Sequence, residues 1–381
     1  MKTRINSLIT LFFLGVLPNV FAQTKTSKKS IEQTILAPSS EQTIKKIKAE
    51  SLQYINGLAS FTDKFGVEIV FTGKAISLWS DHRMNTEQGY VSGLKQGLYL
   101  EYTEKGILVA QETWAKGKKN GAFRYADEKT GIVVVMGDFL DDSLHAEVKG
   151  FYMNGTLQYA KHYNLGVREG SALSYYQNGA LEQVAFFVND MPDGAVIAYY
   201  QDSTTRYIKE YERGVYNGKF FQFHRNGCRA TEMYFKHGLR DSISRTWDAV
   251  TCKLISEGVW TRGSKNGIFV DYNAFGDTLH LASFQSGIPE GRFFTMADLW
   301  DEKSKSMVLT TETAGLFVQG KREGYWIHGQ VSHYQERYGK YRDGEMIGKW
   351  LFMDNQGRPL VNQVYDENGE VLKEKFFKRK N

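Results

Sequence analysis

The chain has 381 residues, 14% of them aromatic, with 37 glycines, only 5 prolines and a formal net charge of +5. Its length alone would predict two or three globular domains, but internal repeats override that expectation where they occur. The basic residues concentrate near the two ends and leave a mildly acidic body, which argues against a nucleic-acid groove along the chain.

The first 22 residues have the layout of a secretory signal peptide. Lys2 and Arg4 precede an apolar run from Leu8 to Val16, and Ala22 provides a small residue for cleavage. The run is shorter than the roughly 20 residues that a membrane-spanning helix needs, which disfavours the alternative of a transmembrane anchor. No later apolar stretch of the sequence is long enough to span. We therefore expect cleavage after Ala22 and an exported protein, periplasmic or secreted.

Residues 23–56 are predicted to form a polar spacer, rich in Ser, Thr, Lys and Gln. A short helix within it would have one apolar side, made of Ile44, Ile47, Leu52 and Ile55. Residues 57–89 turn strand-like, as in the run from Val67 to Phe71, but lack the glycine steps found further on. Because repeat arrays need atypical end units, we predict that 57–89 form an N-terminal cap.

From residue 90 to residue 372 the sequence repeats about every 24 residues. Most repeats have a step of two glycines four positions apart, and an aromatic residue stands three positions before the step. We interpret these aromatics as a structural ladder. Apart from one gap of 33, they are separated by 24 or 25 residues: Tyr90, Trp114, Phe139, Tyr163, Phe187, Tyr211, Phe235, Trp260, Phe284, Phe317, Tyr341 and Tyr365. Ala146 and Ser242 replace the second glycine in two repeats.

Each repeat is predicted to be a β-hairpin. Turn signals such as Asn154-Gly155, Asn178-Gly179 and Asn226-Gly227 stand in mid-repeat, and Asn-Gly is the strongest short signal for a tight hairpin. The predicted fold class is therefore all-β, an elongated array of stacked hairpins with roughly 9.6 Å per repeat. Ladder rings at this spacing are too far apart to touch, so other side chains must fill the gaps. A second set of aromatics is available for this: Tyr102, Phe151, Tyr175, Tyr199, Phe223, Trp247 and Tyr272.

With these residues identified, the chain resembles the MORN-type repeat family in its bacterial variant form. The segments that carry the resemblance are Gly320 to Trp326, Gly214 to Phe223 with Asn226-Gly227, and Gly166 to Leu181. The resemblance extends over about Tyr90 to Leu372, with departures at 142–146, at 239–242 and after Phe294. It implies stacked β-hairpins that serve as scaffolds or binding surfaces. Some members of the family are labelled antitoxins.

No residue pattern in the sequence predicts catalysis. The glycine steps lack the strand, loop and helix context of a phosphate-binding loop. His328, His333 and Glu336 come nearest to a metal site, but the alternation of side chains along a strand points successive members to opposite faces. We therefore expect neither enzyme activity nor a metal or other cofactor.

Cys228 and Cys252 occupy the same place in adjacent repeats and are candidates for a disulfide. Export favours a bridge. The ideal spacing of roughly 9.6 Å opposes one, since bridged Cα atoms lie within about 7 Å of each other. Both residues lie near hairpin tips, which can lean, so the sequence leaves the pairing open.

The segment from Thr295 to Thr313 is nine residues longer than its counterparts and is predicted to be a long loop. Long loops on rigid repeats often carry function, and we predict that Leu299 and Trp300 contact a partner. The alternative is that Trp300 folds back over the edges of its neighbours. Residues 373–381 are predicted to form a basic tail.

Together these features predict a non-enzymatic, exported repeat scaffold that binds another envelope or extracellular protein and has no nucleic-acid partner. One alternative is an antitoxin-like protein that neutralises a toxin. The other is binding of carbohydrate or cell wall through the aromatic ladder, which would require exposed rings.

Overall fold

The structure is a computed structural model, and it describes residues 46–301, 306–329, 337–354 and 358–377. All of these belong to one compact unit. The predicted signal peptide, most of the polar spacer and the last four residues of the predicted basic tail lie outside the described residues. His333 and Glu336 also lie outside them.

The N-terminal part contains five short strands and one 3-10 turn. The strands are β1 (Lys46–Lys48), β2 (Gln53–Ile55), β3 (Leu58–Thr62), β4 (Glu68–Val70) and β5 (Gly73–Leu78), and the 3-10 turn is Ala49–Ser51. Strands β2, β3 and β4 form a small separate sheet, whereas β1 pairs in parallel with β5. A core of Ala59, Phe71, Ala75 and Tyr90 lies where these residues meet the first repeat.

The short helix predicted around Ile47, Leu52 and Ile55 is wrong for the described residues from 46 onward. Ile47 lies in β1, pairs with Ala75 of β5 and packs against the N-terminal core. Pairing with β5 satisfies the backbone and buries the side chain, and such non-local contacts override a weak local helix pattern.

The repeats supply the remaining strands, which run in chain order as one continuous series. They are β6 (Met84–Val91), β7 (Leu94–Tyr102), β8 (Leu108–Ala115), β9 (Lys118–Ala126), β10 (Val133–Leu140), β11 (Ser143–Phe151), β12 (Leu157–Asn164), β13 (Val167–Tyr175), β14 (Leu181–Val188), β15 (Met191–Pro192), β16 (Gly194–Tyr199), β17 (Thr205–Glu212), β18 (Val215–Phe223), β19 (Arg229–Lys236), β20 (Leu239–Arg240), β21 (Ser242–Trp247), β22 (Leu254–Thr261), β23 (Ser264–Lys265), β24 (Gly267–Tyr272), β25 (Thr278–Gln285), β26 (Ile288–Asp301), β27 (Ser306–Val318), β28 (Lys321–His328), β29 (Arg337–Arg342), β30 (Glu345–Met353), β31 (Pro359–Tyr365) and β32 (Val371–Phe376).

Successive strands pair antiparallel from β5 to β32. Together with β1 they make one sheet of 29 strands within the described residues. Each repeat contributes two neighbouring strands, and three repeats break the first of them into two short pieces (β15–β16, β20–β21 and β23–β24). The predicted all-β fold of stacked hairpins is therefore confirmed.

Most turns between repeats use the first glycine of the step, and Asp142 and Asp190 take its place in two of them. In Leu165-Gly166 the two φ angles are +49° and +87°, and the flanking residues Asn164 and Val167 pair directly. Positive φ at both central residues is what a two-residue type I′ turn requires. Asn154-Gly155, by contrast, is part of a three-residue turn in which Gly155 alone is left-handed, and its N–H donates to the carbonyl of Tyr152 at 2.8 Å. The Asn-Gly signals thus locate the hairpin tips, whereas the tightest turns lie between the repeats.

From Trp114 onward, each ladder aromatic lies directly opposite the second position of the preceding glycine step. Phe187 pairs with Gly170, Phe235 with Gly218, and the same register recurs along the sheet. In the two exceptional repeats Tyr163 faces Ala146 and Trp260 faces Ser242. Ala146 and Ser242 keep positive φ angles of +57° and +78°, so the backbone conformation survives the loss of glycine, although a Cβ makes it costlier.

The sequence predicts a long loop near residue 300, and this prediction is wrong for the described residues. Strands β26 and β27 are simply longer than their counterparts, and their pairing continues from Gly291 opposite Phe317 to Asp301 opposite Ser306. Pairing supplies hydrogen-bond partners for the backbone that a bare loop would leave to water. The last strand, β32, likewise takes in the first four residues of the predicted basic tail.

Candidate functional site

Side chains alternate along each strand, so the sheet has two chemically different faces. We call the face that carries the ladder aromatics the front face and the opposite one the back face. No ladder ring is exposed, since Tyr90 and Tyr341 are buried and the other ten, all within the described residues, are half-buried. The rings therefore do not form the open platforms that glycan binding through the ladder would require.

Lysine and arginine side chains lie over many of the ladder rings. Each comes from the second position after the first glycine of its step, on the strand next to the ring. The pairs are Lys95 over Trp114 at 4.1 Å, Lys119 over Phe139 at 5.2 Å, Arg168 over Phe187 at 4.2 Å, Arg240 over Trp260 at 5.0 Å, Lys265 over Phe284 at 4.8 Å and Arg322 over Tyr341 at 5.3 Å. Such cation–π contacts cover the rings and hold the cations in place.

Near the N-terminal end, one of these cations belongs to a buried polar network. Lys119 pairs with the Glu112 carboxylate at 2.8 Å, and the Tyr125 hydroxyl and Trp114 indole N–H donate to the same carboxylate. Burial alone raises the pKa of Glu112, but the hydrogen bonds from Lys119 and Tyr125 outweigh it and leave the pKa below its usual value. Glu112 is thus satisfied internally, which makes it a structural carboxylate.

A third column of side chains fills the space between the ladder rings. It stands six positions after the first glycine and is aromatic in seven repeats: Tyr99, Phe123, Phe220, Phe269, Phe293, Trp326 and Trp350. Phe269 lies 5.5 Å from Trp260 and 5.4 Å from Phe284, and so bridges two rungs. In this repeat the gap is filled by Phe269 and not by Tyr272, the member of the second aromatic set predicted to fill it. Tyr272 of that set lies on the back face, where its hydroxyl donates to Glu257.

Glycines on the neighbouring strands make room for this inner column. A Cβ at Gly258, Gly315 or Gly339 would overlap the ring of Phe269, Trp326 or Trp350, respectively. Trp326 and Trp350 are fully buried against these bare backbones. The sequence repeat did not predict this fit of a large ring against a glycine. The two residues of each pair lie on neighbouring strands, about 11 positions apart in the sequence.

The repeat that contains β21 has a small inner residue with a pocket beside it. Ser244 occupies the inner position in β21, between repeats that carry Phe220 and Phe269. A pocket of about 320 Å³ lies beside it, with walls that include Trp260, Phe269 and Met233. The pocket is in the same repeat as Ser242, one of the two departures from the glycine pattern.

Two cations stand on one rim of the Ser244 pocket. Arg240 lies over Trp260, and the Lys265 ammonium lies 4.7 Å from the centre of the Phe269 ring. Neither makes an ion pair with another described residue, unlike Lys119 with Glu112 or Arg168 with Asp190. The rim is therefore a locally uncompensated positive region in an otherwise acidic body.

Hydroxyl groups and one carboxylate line the opposite rim. Thr246 pairs across the sheet with both Thr231 and Ser256, and Ser256 pairs with Asp271. The hydroxyls of Thr246 and Ser256 are 2.6 Å apart, and the Asp271 carboxylate meets the His280 ring at 3.1 Å. At the centre, the Ser244 hydroxyl accepts the Trp260 indole N–H at 2.9 Å.

Cys228 and Cys252 form a disulfide with their Cα atoms 5.7 Å apart. They lie in the turns that follow β18 and β21, and the bridge therefore links two adjacent hairpin tips. Further contacts hold these tips together. The Asn226 side chain donates to the backbone carbonyl of Ala249, and His224 Nε2 lies 3.1 Å from the backbone carbonyl oxygen of Trp247. Strands β19, β21 and β22 of the linked hairpins line the Ser244 pocket, so the bridge restrains its walls.

The back face carries an exposed apolar patch in the C-terminal repeats. We define it by Leu316, Tyr325, Ile327 and Tyr338, of which Ile327 and Tyr338 are directly opposite neighbours. Tyr325 is 72% exposed and is covered only by the Lys340 ammonium, 4.5 Å from its ring. Elsewhere on this face exposed apolar side chains are more scattered; Phe186, 48% exposed, is an example.

His328 is the one residue of the candidate metal set His328, His333 and Glu336 that the structure describes. It packs among aromatic rings on the front face. Its ring stacks between Trp326 and Trp350 at 5.8 and 6.2 Å, and its Nε2 is 3.3 Å from the Tyr341 hydroxyl. Burial lowers the pKa of His328 to about 4, and the nearby charges of Arg337 and Arg322 add to the effect. Among the described residues no group of three potential ligands could hold a metal ion.

Leu299 and Trp300, the predicted partner contacts, lie in β26 opposite Val308 and Met307. Their side chains fall outside the described part of the chain, so their contact with a partner stays a prediction. No helix in the described ranges is long and apolar enough to cross a membrane.

The comparison with protein-family models concerns the hairpin of β13 and β14. Its residues 168–189 match the family model of the MORN repeat variant. The chain contains a MORN-type repeat. The matched segment includes Gly170 and its opposite partner Phe187, the pairing that recurs along the sheet. Sequence spacing and register thus extend the same design beyond the matched MORN repeat.

Other comparisons add little to the MORN assignment. No curated protein matches the sequence. Among solved structures, one described as the crystal structure of TcdB2-TccC3-Cdc42 is 10% identical and has a TM-score of 0.17. The match covers 84% of this chain but 18% of that chain. At this score the likeness carries no argument about function.

Proposed function

We propose that this protein is an exported, non-enzymatic MORN-type scaffold that binds another protein of the envelope or extracellular space. The observation that carries the proposal is the apolar patch on the back face. Its four side chains occupy one side of three adjacent strands, β27, β28 and β29, which hold them at fixed spacing. A contiguous exposed apolar patch on a soluble domain is typical of an interaction surface.

The composition of the patch favours a protein partner. Tyrosine is enriched at the centres of protein interfaces because it buries a large ring and keeps a polar tip. Tyr325 and Tyr338 provide two such rings beside Ile327 and Leu316. Arg292 and Lys340 pair with residues of the patch and give it a polar rim. This arrangement of an apolar centre and a charged rim is the usual anatomy of a binding surface.

The disulfide supports the exported location. Disulfides form and persist in oxidising compartments and are rare in the cytosol. The location can be tested by fractionating cells and determining the N-terminus of the recovered protein. A chain that begins at Gln23, outside the cytoplasm, with Cys228 and Cys252 resistant to alkylation, would agree with export. A chain that keeps Met1 in the cytosol with both thiols free would contradict it.

Site-specific crosslinking tests the patch. A photo-reactive phenylalanine analogue is placed at Tyr325 and, as a matched control on the same face, at Phe186. We expect one dominant protein adduct from position 325 and none above background from position 186. The same protein should be lost from pull-downs with Tyr325→Ser and retained with Phe186→Ser. Identical adducts from both positions would show that the patch is not the binding surface.

A further inference from the structure

The Ser244 pocket combines features that the rest of the front face keeps apart. In the repeats on either side the inner position carries Phe220 and Phe269, and near the N-terminal end Glu112 neutralises the charge of Lys119. At Ser244 the inner position is small, the space beside it is about 320 Å³, and Arg240 and Lys265 have no carboxylate partner among the described residues. A volume near 300 Å³ is at the lower end for small-ligand pockets, which suits a single compact ring and its substituents.

The walls suit a ligand with one apolar surface and many hydroxyls. Arg240 and Lys265 lie over the rings of Trp260 and Phe269, but both rings also line the cavity and give it an apolar wall for the C–H face of a pyranose. Thr246, Ser256 and Asp271 provide hydroxyl and carboxylate oxygens along one rim, and these exchange hydrogen bonds with sugar hydroxyls.

The charges of the two rims differ in sign. Arg240 and Lys265 favour an anionic substituent, and the guanidinium of Arg240 can bind a carboxylate in bidentate fashion. Asp271 on the other rim disfavours a ligand that carries negative charge along its whole length, such as a polyphosphate. The ligand that satisfies both rims carries its negative charge on one side and hydroxyls on the other.

We propose that the Ser244 pocket binds an acidic saccharide, a pyranose with a carboxylate directed at Arg240 and Lys265 and its hydroxyls directed at Thr246, Ser256 and Asp271. The disulfide between Cys228 and Cys252 links the hairpin tips on either side of β19 and β21 and reduces the ordering that binding requires. The site is independent of the back-face patch, since it lies on the opposite face and in other repeats.

Calorimetric titration of the purified full chain tests this inference. The probes are galacturonic acid, neutral galactose and inorganic sulfate. We expect galacturonic acid to bind at least tenfold more tightly than either of the others. Equal affinity for galactose would overturn the role of the two cations. Equal affinity for sulfate alone would overturn the saccharide assignment.

Three variants connect binding to the pocket. Arg240→Gln combined with Lys265→Gln should weaken uronate binding at least tenfold, whereas Arg168→Gln, a cation of the same column over Phe187, should leave it unchanged. Ser244→Leu fills the inner position with an apolar side chain and should abolish binding while the far-ultraviolet circular dichroism spectrum stays the same. Binding that survives Ser244→Leu in a folded protein, or no uronate binding by the unsubstituted chain, would overturn the proposal.

Discussion

The repeats around Trp326 and Trp350 and the repeat around Ser244 have the same backbone design but opposite interiors. In the C-terminal repeats a bare glycine on one strand accepts a tryptophan from the next, and the front face is filled. At Ser244 the large side chain is absent, and two cations and a row of hydroxyls surround the space. The comparison shows that one inner position can depart from the pattern and leave a space while the neighbouring repeats keep their large inner residues.

Removing a filled inner position gives the largest expected effect. Trp350→Ala should lower the free energy of unfolding by about 3–5 kcal/mol, because the indole is fully buried and would leave a cavity. Ser244→Ala, its counterpart in the open repeat, removes one hydroxyl and one hydrogen bond from Trp260 and should cost only about 1 kcal/mol. Chemical denaturation of both variants measures the contrast. Equal losses of stability would contradict the view that the interior is filled at Trp350 and open at Ser244.

The disulfide tests whether the open repeat needs external support. Replacing both Cys228 and Cys252 by alanine should destabilise the protein by about 2–4 kcal/mol, since the bridge closes a loop with a sequence separation of 24 residues. Hydrogen exchange should become faster in β19, β21 and β22 and remain unchanged in β28 to β30. Uniformly faster exchange over the whole sheet would show that the bridge stabilises the array globally.

Adding a methyl group to the filled repeats is the converse change. Gly339→Ala places a Cβ against the Trp350 indole and should cost about 1–3 kcal/mol by overpacking. Ala282 holds the equivalent position opposite Phe293, and Ala282→Gly serves as the control, with a loss of about 0.5–1 kcal/mol from backbone entropy alone. If Gly339→Ala were neutral in thermal unfolding, the close fit of glycine to tryptophan would not be a source of stability.

The smallest effect concerns the pH dependence of the filled repeats. The pKa of His328 in the folded state, about 4, lies below its unfolded value near 6.5, so the folded state favours the neutral ring. The stabilisation is therefore fully present above pH 6.5 and is lost as the pH falls through about 4. Between pH 7.5 and 4.5 the melting temperature should fall on the order of a few degrees further in the unsubstituted protein than in His328→Gln. Parallel pH profiles would contradict the assigned pKa.

The aromatic spacing and the turn signals were sufficient to predict an array of β-hairpins. The resemblance to MORN-type repeats was also recognisable in the sequence around residues 168–189. These features are local, because a hairpin turn and a 24-residue period can be read along one stretch of chain. The N-terminal helix pattern misled for the same reason, since the pairing of Ile47 with Ala75 is non-local. The insertion after Phe294 was misjudged because length alone does not distinguish a loop from a longer hairpin.

The sequence by itself determined the repeat, its period, its turns and the residues of the ladder. Only the tertiary structure decided that the ladder aromatics face glycines, that Arg240 and Lys265 lie over rings, and that Ser244 leaves an open pocket. The physical reason is that each of these contacts joins different strands. Register shifts such as the one between Lys161 and Tyr163 determine which side chains contact each other across the sheet. These shifts depend on backbone pairing between strands, which cannot be read from the sequence of one strand.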